Sequence, residues 1–257
     1  ASKAGGDSNP AKALGRLGSP VPTSPVREST HRGLQTPPRD RAPVASRAMA
    51  TPPAYLIRTE RLVLRCYSPE LAPLRQAAVA ANREALLPWF TWARDEPRPV
   101  AEHLQLVRRL RGRFDLDQDR IHAVLDGEQR ELLGELALLA RGEASARELG
   151  YWVHSRHTGK GVATEMVSAL VRVGFEVDGL ERMDIQAAVG NEASAAVARK
   201  LGFTLEGTLR QRARADGGPA EDTWHFSLLA SEYPESPAAR VPVKAYDFGG
   251  VLLPGLV

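Results

Sequence analysis

The stretch Gly150-Tyr-Trp-Val-His-Ser-Arg-His-Thr-Gly-Lys-Gly-Val-Ala-Thr164 constrains this chain more than any other. A strand pattern breaks into a two-glycine loop and passes at once into an amphipathic helix predicted over 162–177. Gly159 and Gly161 let the backbone turn its amides inward, and the first helical turn adds unpaired N–H groups and the positive end of a dipole. Such a loop suits a diphosphate, with Lys160 and Arg156 as mobile positive charge nearby. Two nucleotide signatures are excluded: the third glycine of the dinucleotide fingerprint is missing, and Lys160 is followed by Gly161 rather than Ser or Thr. Taken alone, Gly-x-Gly between strand and helix equally describes an ordinary tight connection.

A second block follows about thirty residues on, Asn191-Glu-Ala-Ser-Ala-Ala-Val-Ala-Arg-Lys-Leu-Gly-Phe203. By local chemistry Asn191 is a helix N-cap and Ser194 a helix-start residue, a reading as good as any functional one. Together with Thr59-Glu-Arg-Leu-Val-Leu-Arg65, Leu87-Pro-Trp-Phe-Thr-Trp92 and Gly150-Tyr-Trp152, these blocks occur in the order and spacing of a known family. Over residues 54–233 the chain resembles the GNAT superfamily of acyl-CoA-dependent N-acetyltransferases, and within it the branch that acetylates ribosomal-protein N-termini.

The ends differ from the middle. Residues 1–53 hold nine of the nineteen prolines, no aromatic residue, and eight Lys or Arg against three Asp or Glu. Such a segment buries too little apolar surface to offset chain entropy and is expected to be a disordered extension. Its surplus of five positive charges exceeds the formal net charge of +3, so the remainder sums to −2. A basic arm suits RNA or an anionic surface, but a solvated extension is the commoner outcome, and nucleic acid is not expected as a partner. Met49 is the first methionine, which leaves a start assigned too early as open as a functional arm. Residues 234–257 are set apart as a C-terminal tail, either a short docking strand or disordered.

No apolar run reaches membrane-spanning length and no secretory signal is evident, so no membrane partner is expected. With a single cysteine, Cys66, no internal disulfide can form, which suits a cytoplasmic protein. The histidines lack metal-ligand spacing, and no metal is expected.

Alternation of short strands with amphipathic helices predicts one α/β domain. Strands are expected at 56–67, 121–125, 132–140, 149–154, 183–189, 203–212 and 223–229, and helices at 69–82, 99–113, 162–177 and 192–201. The resemblance implies a mixed, mostly antiparallel central sheet that splays to form an acyl-CoA cleft, flanked by helices.

The resemblance also implies site residues. Backbone at Tyr151, Trp152 and Val153 would align a pantetheine arm, with the Val153 N–H facing a thioester carbonyl. The loop Thr158, Gly159, Lys160, Gly161, Val162, Ala163 and Thr164 would hold the diphosphate, although Thr158 stands where the family has Arg or Gln. Asn191 would contact pantetheine, and Ser194 would lie near the departing sulfur as a proton donor. The family's glutamate base falls by count on Ala213. Glu135 and Glu148, on strands expected to border the cleft, are the substitutes, each also readable as an ordinary strand carboxylate. Glu206 is a further candidate. Trp89 and Trp92 are expected on the acceptor side, able to share a helical face, one ring packing and one facing the pocket.

The implied activity is transfer of an acetyl group from acetyl-CoA to a primary amine by direct attack. A protein N-terminus is the leading acceptor. A small amine such as an amino sugar, polyamine or amino acid is the rival, and a non-catalytic acyl-CoA sensor is the alternative from another class. Whether the protein is a monomer or a homodimer stays open.

Overall fold

The computed structural model describes residues 52–213 and 220–256. The expected extension falls, but for its last two prolines, outside the described residues. Among the described residues nine strands form one sheet: β1 (Leu56–Arg58), β2 (Leu62–Cys66), β3 (Asp119–Asp126), β4 (Leu132–Ala140), β5 (Ala146–Val153), β6 (Arg182–Ala188), β7 (Thr204–Ala213), β8 (Glu221–Leu229) and β9 (Lys244–Tyr246). Their order across the sheet is β7-β8-β6-β5-β4-β3-β2-β1-β9. Five α-helices among the same residues cover it: α1 (Ala72–Ala81), α2 (Arg83–Leu86), α3 (Val100–Asp115), α4 (Val162–Arg172) and α5 (Glu192–Lys200).

Every pairing is antiparallel except β5 with β6. That parallel ladder runs only from Ala146 and Arg182 to Leu149 and Ile185. Beyond it the two strands part. Gly150 to Val153 stay paired with β4 but have no β6 partner on their other edge. The splay implied by resemblance is thus a feature of the sheet, and it leaves a run of backbone free to accept an extended guest.

Each face of the sheet has its own core. Val162, Met166, Val167, Leu170 and Val171 of α4 pack on one face with Leu149, Met183 and Ile185. Four of those α4 side chains are at most 1% exposed, each contributing about 1.5–3 kcal/mol. On the other face α1 and α3 lay Val79, Leu106, Val107 and Leu110 against Ala123, Leu125, Ala137 and Leu139.

Two expectations need correction. The strand predicted over 56–67 is a hairpin, β1 and β2, turned at 59–61, where the Thr59 hydroxyl accepts the Leu62 N–H at 3.0 Å. The C-terminal stretch is not a separate tail: of the two alternatives expected for it, the short docking strand is the one formed. β9 pairs with β1, Ala238, Val243, Ala245 and Leu253 enter the core, and Arg172 donates to the Val241 carbonyl at 2.7 Å. Burial of these few apolar residues outweighs the local proline content that marked the segment as loop.

Candidate active site

The loop after β5 begins with a short 3-10 turn, Ser155–His157, and ends at Gly161, the N-cap of α4. Gly159 and Gly161 have φ of +73° and +80°, a region that disfavours any side chain. A Cβ on Gly159 would meet nothing, so conformation alone requires that glycine. The Thr158 hydroxyl donates to the Ser155 carbonyl at 2.8 Å and stabilises the turn rather than facing outward. Arg156 is exposed and turned towards Glu131, 3.9 Å away, rather than over the loop.

The β1–β2 turn braces this loop. Thr59 donates to Glu165, in the first turn of α4, at 2.5 Å, and Arg61 grips the same carboxylate through Nε at 2.7 Å. Arg61 also donates to the Lys160 carbonyl at 3.3 Å. No local signal in the sequence predicts this contact, since it joins residues about a hundred positions apart.

The loop opens into a cavity of about 660 Å³ that passes through the splay. Tyr151, Trp152 and Val153 form one wall, the 158–164 loop, Lys160 apart, another, and Asn191, Ser194 and Val197 of the α5 region a third. Asn191 is the N-cap of α5: its Oδ1 accepts the Ser194 N–H at 3.1 Å. Capping and a place on the cavity wall coincide, so the two readings of Asn191 do not compete. The Tyr151 hydroxyl reaches across the splay to Ser194, donating to its carbonyl at 3.1 Å and lying 3.0 Å from its Oγ. Burial pushes the Tyr151 phenol up to about 12, so it keeps its proton at neutral pH. Sequence reasoning assigned only the backbone of Tyr151; its side chain is a finding of the structure.

The fourth wall comes from α2 and the turn after it. Trp89, 39% exposed, and Phe90 line the cavity, whereas Trp92, 3% exposed, lies buried beneath them with its ring 5.5 Å from Phe90. The segment is not one helix, because α2 stops at Leu86 and Thr91–Asp95 is a separate 3-10 turn. Of the two rings expected on the acceptor side, one packing and one facing the pocket, Trp92 is the one that packs, with the Arg75 guanidinium 5.6 Å from its ring, so its place on the substrate wall is corrected, and Trp89 with Phe90 occupies that wall. Asn82, between α1 and α2, also lines the cavity and accepts the Ser155 N–H at 2.8 Å.

The candidate carboxylates separate sharply. Glu135 is buried in a closed network: Arg75 donates from Nε at 2.7 Å, Trp152 from Nε1 at 2.8 Å, and the Tyr67 hydroxyl also donates to it. Burial alone would raise this carboxyl, but the Arg75 charge and these hydrogen bonds outweigh it and hold it below its ordinary value. Glu135 as a base is thus contradicted: every oxygen is committed to orienting Trp152 and neutralising Arg75. Glu148 is equally buried, yet its side-chain partners among the described residues are Gln186 Nε2 at 3.1 Å and Arg141 at 3.4 Å, and neither carboxylate is on the cavity wall. Its Oε1 has no hydrogen-bond partner among the described residues. Burial raises its carboxyl, with Arg141 offsetting only part of that. Glu206 is held ionised, down to about 2, by hydrogen bonds from Arg182 and Ser227. That commitment removes it as a base.

A sheet parted between parallel strands, a two-glycine loop at the parting and a cavity lined from both sides have the layout that the resemblance implied. The comparisons agree. A family model described as an acetyltransferase (GNAT) domain matches residues 61–204, more than half of the chain, and the chain belongs to that family. YdaF of Bacillus subtilis is 28% identical over 176 residues, covering 68% of this chain and 94% of that protein. The ribosomal-protein-uS5 alanine N-acetyltransferase of Escherichia coli is 26% identical over 168 residues, 64% of this chain and 86% of that one. Among solved structures, Mycobacterium smegmatis RimJ in complex with a CoA disulfide superposes with a TM-score of 0.64 at 24% identity, covering 73% of this chain and 91% of that one. That last likeness is one of fold.

Proposed function

We propose that this protein is a cytoplasmic acetyl-CoA-dependent N-acetyltransferase whose acceptor is a protein N-terminus of the ribosomal-protein type. The observation that carries the reading is the single cavity joining the 158–164 loop to the Trp89–Phe90 wall through unpaired β5 backbone. The names of the relatives support the acceptor class.

The residues fit a CoA thioester. Gly159 and Gly161 adopt positive φ, the N-terminus of α4 offers unpaired amides, and the outer edge of Tyr151–Val153 can hydrogen-bond an extended amide arm. Acetyl-CoA, when bound, supplies an activated acetyl group on a good leaving group. The rest of the chemistry falls to this chain. The Val153 N–H stabilises charge developing on the carbonyl oxygen. Glu148, which is not on the cavity wall but has a raised pKa and an oxygen without a partner among the described residues, takes through cavity water the proton released as the amine nitrogen forms its bond to the acyl carbon and the carbon–sulfur bond breaks. The Ser194 and Tyr151 hydroxyls, 3.0 Å apart, supply a proton to the departing sulfur. Direct attack suits the site because Cys66, the sole thiol, is buried away from the cavity and pushed up to about 12 by burial.

Intact-mass and thiol-release assays with acetyl-CoA, N-terminal peptides and small amines test the proposal. Acetylation of Ser- or Ala-starting peptides is expected. Transfer to small amines alone would move the acceptor class, and CoA binding without turnover would leave a sensor.

A further inference from the structure

Asn82 lies between α1 and α2 on the cavity wall, and its two polar side-chain atoms differ in their partners. The side chain is buried, 2% exposed, and its residue forms the joint between α1 and α2. The Ser155 backbone N–H points at it from the first turn of the glycine-loop segment, 2.8 Å from Oδ1. Because a backbone N–H can only donate, this contact fixes the amide orientation: oxygen towards Ser155, nitrogen away. Nδ2 is then a buried donor with no partner among the described residues, on a residue that lines the cavity with Trp89, Phe90 and Trp152. A buried amide N–H without an acceptor costs about 1–3 kcal/mol, a cost a bound ligand would remove.

We propose that Asn82 is a specificity-determining residue: its Nδ2 donates to a carbonyl oxygen of the bound acceptor, the first peptide carbonyl after the reacting amine. This rests on the acceptor reading above and deepens it. The acceptor is favoured over the pantetheine arm because Asn82 lies on the α1–α2 side of β5 with the aromatic wall, whereas α4 and α5 cover the opposite face. Through Oδ1 the same side chain holds the turn that opens the cofactor loop, so a carbonyl-bearing acceptor is read by a residue already braced against that loop. A plain alkyl amine would leave the donor unpaired.

The test pairs a protein change with a ligand change. Asn82→Asp keeps an oxygen for the Ser155 N–H and removes the donor; Asn82→Leu removes both at similar volume. The ligands are an Ala-starting peptide and its analogue with an alkene in place of the first peptide bond. Affinities are measured by calorimetry on the CoA-loaded protein, and kcat and KM for acetyl transfer alongside. Wild type is expected to prefer the peptide about tenfold, mostly through KM, the span of one well-placed hydrogen bond. Both variants should lose that preference while Asn82→Asp binds CoA within about threefold of wild type. An unchanged preference in both variants, or none in wild type, overturns the assignment. So does a tenfold loss of CoA affinity with the preference intact, which would give the donor to the pantetheine amides. A normal affinity ratio without acetyl transfer would instead sink the enzyme reading and leave Asn82 in place.

Discussion

The two sides of the cavity are built differently. The side proposed for the cofactor is made of backbone: two left-handed glycines, the first turn of α4 and an unpaired strand edge, with side chains serving mostly as braces. The side proposed for the acceptor is made of side chains, Trp89, Phe90 and Trp152, the last held by a buried network through Glu135, Arg75 and Tyr67. His103 extends it, 3.0 Å from Arg75 on one nitrogen and 3.2 Å from Glu96 on the other. A backbone site tolerates many sequences provided its glycines stay. A side-chain site depends on distant partners, so its specificity is easier to retune and its failure more costly to the fold.

The sharpest way to break this comparison is to remove each buried carboxylate. Glu135→Gln leaves the Arg75 charge unmatched and should lower unfolding stability by about 3–5 kcal/mol in urea titrations. Its remaining oxygen can still accept from Trp152, so kcat per folded molecule should fall less than about threefold. Glu135 has a lowered pKa, so its contribution is present above the ordinary value of 4.5 and lost as pH falls through the folded pKa. The stability gap between wild type and Glu135→Gln should accordingly shrink below about pH 4.5. A collapse of kcat with stability intact would reverse the assignment.

Glu148→Gln should do the opposite, lowering kcat by about a hundredfold with CoA affinity unchanged. In wild type the acid limb of kcat/KM should lie above 4.5, because burial raises Glu148, and the variant should lack it. Equal pH profiles would remove Glu148 as the base.

On the backbone side, Gly161→Glu forces a side chain into φ +80°, about 2 kcal/mol, and should weaken CoA binding about thirtyfold in calorimetry. Unchanged affinity would show that the loop does not carry the diphosphate. Tyr151→Phe removes one hydroxyl from Ser194 and should lower kcat about fivefold, roughly 1 kcal/mol, without moving KM for the peptide. The smallest effect belongs to Arg61→Ala: an exposed ion pair with Glu165 contributes about 0.2–1 kcal/mol, read as an about 1.4- to fivefold weaker CoA complex.

Local signals carried much of this molecule. The glycine loop, the α4 stripe of Val162, Met166 and Leu170, and the Asn191 cap each depend on neighbours within a few residues, so periodicity and residue type suffice to place them. The order of blocks then implied the GNAT sheet. What resisted was non-local. The proline-rich C-terminal stretch gives no hint that β9 will find β1, and Trp92 differs from Trp89 in sequence by nothing that says which ring is buried.

By itself, then, the sequence determined where an anion could be held, because positive-φ glycines and helix starts are properties of short segments. Only the tertiary structure decided how the two candidate carboxylates are partnered. Glu135 and Glu148 sit on adjacent strands and are equally buried, and they differ in what lies across the fold. An arginine, an indole and a phenol saturate one, while the other has an oxygen with no partner among the described residues. A carboxyl's pKa follows from the charges and donors packed around it, and those arrive from distant parts of the chain.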